Sequence, residues 1–169
     1  IPTSFEEAAD AVGEVNTRFD VTGDKLQELS GDFIKFAQVN GTSVSTSIDK
    51  VQSAMTAFGL SADDAGKFLD TLTAASQSTG VSVDQLASDM MSNSAALKEM
   101  GYSASDAALF LANLNKSGID SSAVMAGLKK AFVNATKDGK TMEEAIAELQ
   151  QEMASAETDT EAMQKAIDL

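Results

Sequence analysis

A short phrase, glycine then an apolar residue then serine, returns at even spacing and dictates where this chain can turn. It stands at Gly59 Leu60 Ser61, at Gly80 Val81 Ser82 and at Gly101 Tyr102 Ser103, with 21 residues between successive glycines. Looser copies follow at Gly118 Ile119 Asp120 and, 21 residues further on, at Gly139 Lys140 Thr141. Glycine tolerates the left-handed conformation that closes a helix, and Ser, Asp or Thr accepts from the orphan amides of the next one. The phrase therefore predicts a helix end at Gly59, Gly80, Gly101, Gly118 and Gly139. Helix caps are predicted at Ser61, Ser82, Ser103, Asp120 and Thr141, with one more at Ser4 near the start.

Residues three places after these caps strengthen the reading. Ser4 is followed by Glu7, Ser61 by Asp64, Ser82 by Gln85, Ser103 by Asp106 and Thr141 by Glu144, the spacing of a reciprocal capping box. Leu60 with Ala65, Val81 with Leu86, Tyr102 with Ala107 and Ile119 with Val124 have the spacing of a hydrophobic staple. Between these marks, apolar residues recur at helical intervals. The first helix is predicted over Phe5 to Phe19, with Phe5, Ala8, Ala9, Val12, Val15 and Phe19 on one face. A turn is predicted at 20–24. Further stripes follow at Leu26, Leu29, Phe33, Phe36 and Ala37, and at Val44, Ile48, Val51, Met55 and Phe58.

The three helices after these carry Ala65, Phe68, Leu69, Leu72 and Ala75; Val83, Leu86, Ala87, Met90 and Leu97; and Ala107, Phe110, Leu111 and Leu114. The third is apolar nearly all round from Ala107 to Ala112, which predicts the most buried element. Val124, Leu128, Ala131, Phe132 and Ala135 mark the next helix, with Gly127 in its interior, where glycine costs roughly 1 kcal/mol against Ala. Close approach of a neighbouring backbone is the preferred reason for Gly127, and a hinge the alternative. Met142, Ala145, Ile146, Leu149 and Met153 mark another helix, and Ala162, Met163, Ala166 and Ile167 a last one.

The expected fold class is all-α, a compact array of about seven or eight helices joined by short connections. The expected organisation is a single helical domain over 1–169, with N-terminal helices at 1–58, repeat-like helices at 59–136 and C-terminal helices at 137–169. Because the first residue is Ile1, the chain is expected to be a fragment of a longer protein, its last helix cut short.

Composition narrows the chemistry. The chain has no Cys and no His, so the nitrogen and sulfur ligands of zinc and copper sites are missing, as is any disulfide framework. A formal net charge of −14, spread along the chain, repels phosphate and argues against independent nucleic-acid binding. The longest strictly apolar run, Ala107 to Ala112, falls far short of the roughly 20 residues of a membrane helix. Aromatics make up only 5% and Trp is absent, so Ala, Leu, Val, Met and Phe must build the core.

Partial motifs resolve into structural readings. Gly139 Lys140 Thr141 looks like the end of a phosphate-binding loop, but Asn134 stands where that motif needs another glycine, and a helix precedes it. Counted from Asp20, a calcium loop needs glycine at its sixth place and Glu at its twelfth, where Lys25 and Gly31 stand. Asn40, Asn115 and Asn134 each head a formal glycosylation triplet, read here as coincidence. Glu6 and Glu7 suit the positive end of the first helix, and the basic cluster of Lys129, Lys130, Lys137 and Lys140 suits a negative helix end. Nothing in the sequence activates a Ser or Thr hydroxyl as a nucleophile. No catalytic, cofactor-binding or metal-ligating residue is assigned.

The sequence resembles the core region of phage tail tape-measure proteins. The resemblance runs through Gly13 Glu14 Val15 Asn16 Thr17 Arg18 Phe19, then Thr22 Gly23 Asp24 and Leu26, then the punctuation phrases to Met100 Gly101 Tyr102 Ser103, then Gly118 Ile119, Gly127 Leu128 and Asp138 Gly139 Lys140. Members often carry a second glycine shortly after the Gly-Ile pair, where this chain has Asp120 Ser121 Ser122. The resemblance implies a structural module of a long helical protein that lies in the tail lumen, sets tail length, is made in the host cytoplasm and leaves during genome delivery. It implies tail-tube subunits, tail assembly chaperones and baseplate or tip proteins as partners, with self-association a further possibility. It implies no shared active site and no cofactor. The alternatives are a helical domain of a tail-associated wall-degrading enzyme, which a carboxylate pair in a cleft would favour, and a secreted helical interaction module.

Overall fold

Seven α-helices follow one another with short connections in the computed structural model, which describes residues 4–118 and 121–137 together with Gly139 and Glu144. They are α1 (Phe5–Phe19), α2 (Gly23–Asn40), α3 (Val44–Phe58), α4 (Ala65–Thr79), α5 (Val83–Glu99), α6 (Ala104–Lys116) and α7 (Ser121–Lys137). A single 3-10 turn, Ala62–Asp64, leads into α4. No strand occurs among the described residues. The all-α array read from the punctuation is the fold observed. The helices predicted beyond Thr141 lie outside the described residues.

The backbone gathers into two compact units, Ile1–Ile119 and Asp120–Leu169, where the sequence reading takes one domain. The division falls just past Gly118, at the fourth copy of the phrase. In the second unit, α7 is described, with Ser121 and Met125 buried.

The first unit is a two-layer stack. Helix α1 packs on α3 and α3 on α5, while α2 packs on α4 and α4 on α6, so odd and even helices form separate layers. Each chain reversal carries the backbone from one layer to the other. Polar contacts give the direction. Ser45 bonds Glu14 and Asp49 pairs with Arg18, advancing together along α1 and α3. Asp32 lies beside Gly66 and Asn40 bonds Thr73, advancing together along α2 and α4. Helices within a layer therefore run parallel, the expected result when every connection is a tight reversal.

The core lies between the layers. Leu29, Phe33, Ile48, Met55, Leu72, Leu86, Met90, Leu97 and Leu111 are its largest sealed side chains in this unit, together with Val15 and Val51. Every residue named for the stripes of α4 and α5 is buried. Phe19 and Phe33 join α1 to α2 with ring centroids 5.5 Å apart. Burial of such chains is worth roughly 1.5–3 kcal/mol each, which outweighs the weak intrinsic propensity of these Ser-rich helices.

Three expectations need correction. The buried line of α1 is Ala11 and Val15, flanked by half-buried Ala8 and Phe19, whereas Phe5 is 91% exposed and Ala9 and Val12 also face solvent. The apolar set of that helix is too wide for one interface and divides into two strips. Helix α6 buries Ala104, Ala107, Ala108, Leu111 and Ala112, but Leu109 is 46% exposed. It lies against α4 and α5 only in this unit, whereas α3 touches α1, α2, α4 and α5, and α4 touches α2, α3, α5 and α6. The turn before α2 is also shorter than predicted, because Asp20 takes a left-handed conformation at φ 52° and the helix begins at Gly23.

Candidate functional site

Ser4, Ser61, Ser82 and Ser103 stand at helix starts and bond the residue three places on. Ser4 accepts from the Glu7 amide at 3.1 Å, Ser82 from the Gln85 amide at 3.2 Å and Ser103 from the Asp106 amide at 3.2 Å. At Ser61 the Asp64 carboxylate accepts from both the amide, at 2.8 Å, and the hydroxyl, at 2.7 Å, of the cap residue. Those two bonds hold the Asp64 carboxyl below its ordinary pKa. The reciprocal arrangement is not general, since the Gln85 side chain donates to Asp89 at 2.8 Å instead of turning back. Ser43 caps α3 by accepting from the Thr46 amide at 3.1 Å, a cap the sequence reading missed. Its signal is Ser43 two residues after Gly41, the same interval as in the phrase, with Thr rather than an acid three places on. Asp120 and Thr141 lie outside the described residues.

Gly59, Gly80, Gly101, Gly118 and Gly139 all have positive φ, from 69° to 81°. At Gly59 the Leu60 amide reaches back to the Met55 carbonyl at 2.9 Å and the Gly59 amide to that of Thr56 at 3.1 Å, the paired bonds of a Schellman ending. A Cβ at Gly59 or Gly80 would meet nothing within 4 Å, so backbone conformation alone demands glycine there. Gly127 is a half-buried interior residue of α7.

Between helices two apart, side chains tie the layers lengthwise. Lys98 donates to the Ala57 carbonyl at 3.1 Å and Lys116 to that of Ser78 at 3.0 Å. Thr42 donates to Asp84 at 2.8 Å. Asn40 of α2 donates to Thr73 of α4 and to the Phe36 carbonyl, whereas Asn115 of α6 crosses between the layers to Asp89 of α5 and also donates to the Leu111 carbonyl. Both amides are committed to packing, which gives two of the three glycosylation triplets a structural purpose.

Two surface depressions lie among the described residues. One of about 330 Å³, between the first half of α1 and the start of α3, is lined by Glu6, Glu7, Asp10, Glu14, Ser43 and Ser45 among others. Glu14 accepts from Ser45 at 2.5 Å there, while its second oxygen, 3.8 Å from Arg18 Nε, is buried without a hydrogen bond. The other, about 230 Å³, lies between α2 and α4 over Phe36, Val39 and Leu69, with Asp32, Lys35 and Asp70 around it. Among the described residues, no group of three or more acids is placed to hold a metal ion. No described helix is long and apolar enough to cross a membrane. Among the described residues, Ser4, Ser61, Ser82 and Ser103 and the positive-φ glycines stand at helix ends, while Gly127 lies inside α7.

Compared with protein-family models, the chain matches that of the phage-related minor tail proteins over residues 1–169. The chain belongs to the phage-related minor tail protein family. Comparison with curated proteins finds no match, and comparison with solved structures finds none either. Membership makes this a virion-associated structural protein of a phage tail. In this minor tail protein the serines and glycines of the phrase are the residues that let a long helical chain fold back on itself. The bonds of Lys98, Lys116 and Asn40, which periodicity could not reveal, fix the stagger between parallel neighbours.

Proposed function

We propose that this chain is a compact module of a tape-measure protein, acting in tail-tube assembly, in length determination and in genome delivery. It would occupy the lumen of the tail tube after assembly in the host cytoplasm, against tail-tube subunits, assembly chaperones and baseplate or tip proteins. The observation that carries the reading is the family match across every residue, joined to a surface whose polar groups serve capping and packing. A tail structural family favours a non-enzymatic role, and of the acids of the cleft beside α1, Glu14 is engaged with Ser45 and Arg18 while Glu6 and Glu7 lie at the positive end of that helix.

Within the parent protein the module acts as a folded station and not as a stretch of ruler. Deleting Gly80 to Met100 in frame separates the two accounts. A continuous ruler helix would lose about 1.5 Å per residue, so tails would shorten uniformly by roughly 30 Å. In the stack the deletion removes α5, strips partners from α3, α4 and α6, and moves α6 into the opposite layer. Failed or erratic tails in electron micrographs are the expected outcome. Uniformly shorter infectious particles would overturn the folded-station reading, and unchanged tails would overturn the role in tail assembly.

A further inference from the structure

Helix α1 carries a second apolar strip that nothing in its unit covers. Phe5, Ala9 and Val12 stand at intervals of four and three, the spacing of a helix-pairing seam, and Phe5 is 91% and Val12 40% exposed. At about 100° per residue, Phe5 lies half a turn from Glu14. Glu14 is the residue that bonds Ser45 of α3. The strip is therefore the free edge of the odd layer, on the side of α1 opposite α3. A helix at the edge of a stack needs a polar outer face to stay unpartnered, and the outer face of α1 is apolar at Phe5, Ala9 and Val12.

Charge decides what fits. Helix α1 carries Glu6, Glu7, Asp10 and Glu14 against the single cation Arg18, which is already held by Asp49 at 2.7 Å. Glu6 and Asp10 follow the strip round the helix on its solvent side, where flanking residues of a paired helix meet. A second copy of the chain would bring the same acids together on a protein of net charge −14, so self-pairing is opposed. We infer that the outer face of α1 docks an amphipathic helix of a partner protein, one with Lys or Arg beside its apolar seam, as the next member of the odd layer. The inference stands on α1 and its place in the stack and does not require the tape-measure reading.

The test uses the 169-residue chain and two synthetic helical peptides of two heptads each, identical in a Leu seam and carrying either Lys or Glu at the flanking positions. The Lys peptide is expected to bind, and to weaken as salt rises. Phe5→Ser with Val12→Ser, both exposed and so compatible with an unchanged circular dichroism spectrum, is expected to weaken it about tenfold or more. Glu6→Lys with Asp10→Lys is expected to shift preference to the Glu peptide. Equal binding of the two peptides, no binding of either, or binding indifferent to the Phe5 and Val12 changes would overturn the proposal. So would sedimentation showing a dimer of the chain that those two changes dissolve, since a second copy would then be the occupant.

Discussion

The ammonium of Lys98 sits 3.1 Å from the carbonyl oxygen of Ala57, tying the last turn of α5 to the last turn of α3. The same relationship recurs one helix later, with Lys116 of α6 on Ser78 of α4 at 3.0 Å. Each lysine neutralises the negative end of the parallel helix below it and satisfies a carbonyl that the helix leaves over. Lys98→Met and Lys116→Met are each expected to cost about 0.5–1 kcal/mol, as solvent-exposed bonds do, and to add in the double variant because they serve different layers. Urea unfolding with unchanged slope and shifted midpoint reads this out, and a midpoint that does not move in either variant would contradict it.

Leu111 is sealed in the core and Leu109, two residues away, faces solvent. Leu111→Asp buries an unpaired charge and is expected to cost about 3 kcal/mol or more, enough to abolish cooperative melting in a marginal array. Leu109→Asp is expected to stay within about 0.5 kcal/mol of the parent. Circular dichroism melts of the pair test which side of α6 belongs to the core, and equal losses would mean the face is assigned wrongly.

Glycines divide into two kinds with opposite responses to alanine. At Gly59 and Gly80, φ of 75° and 80° puts a Cβ against its own carbonyl, so each change to Ala is expected to cost about 1 kcal/mol although space is open. Gly31 lies inside α2 with nothing near its Cβ position, and Gly31→Ala is expected to gain about 0.5–1 kcal/mol by restricting the unfolded chain. Melting temperatures moving in the same direction for both kinds would refute the distinction.

The Asp64 carboxyl, held below its ordinary value of 3.8 by the hydroxyl and amide of Ser61, stabilises the charged form of the folded state. A depressed carboxyl contributes stability that is complete above the unfolded value and is lost as pH falls through the folded one. Between neutral pH and about 4.5 the capped 3-10 turn is therefore expected to be insensitive, with its contribution fading as pH drops below 3.8. Ser61→Ala should raise the Asp64 pKa toward the ordinary value and flatten that part of the acid limb. Side-chain carboxyl chemical shifts followed by NMR from pH 6 to 2 check the direction, and an Asp64 titration identical in the two proteins would contradict it.

Much of this protein was legible because its information is local. A glycine that must adopt positive φ, and a serine that must accept from an amide three residues on, constrain only their own neighbourhood. The spacing of such residues therefore determined that the chain is an all-α array and where Gly59, Gly80 and Gly101 reverse it, and the helical period of the apolar residues between them determined which residues of α4 and α5 form the core. Ser43 escaped because its partner is Thr46 and not an acid, although the geometry is the same.

What tertiary structure alone decided is which neighbour each face meets. Periodicity placed Phe5, Ala9 and Val12 with Val15 on one apolar side of α1, but a helix at the edge of a layer has a partner on one flank only, and the opposite strip stays in solvent. Within the first unit the same reason left Leu109 exposed on α6, while α3 and α4 have neighbours on most sides. The bonds of Lys98 and Lys116 join residues 41 and 38 positions apart, and that pairing exists only once alternate helices have been stacked in parallel. Hydrophobic spacing reports how wide an apolar surface is, and only the packed array determines how much of it finds something to touch.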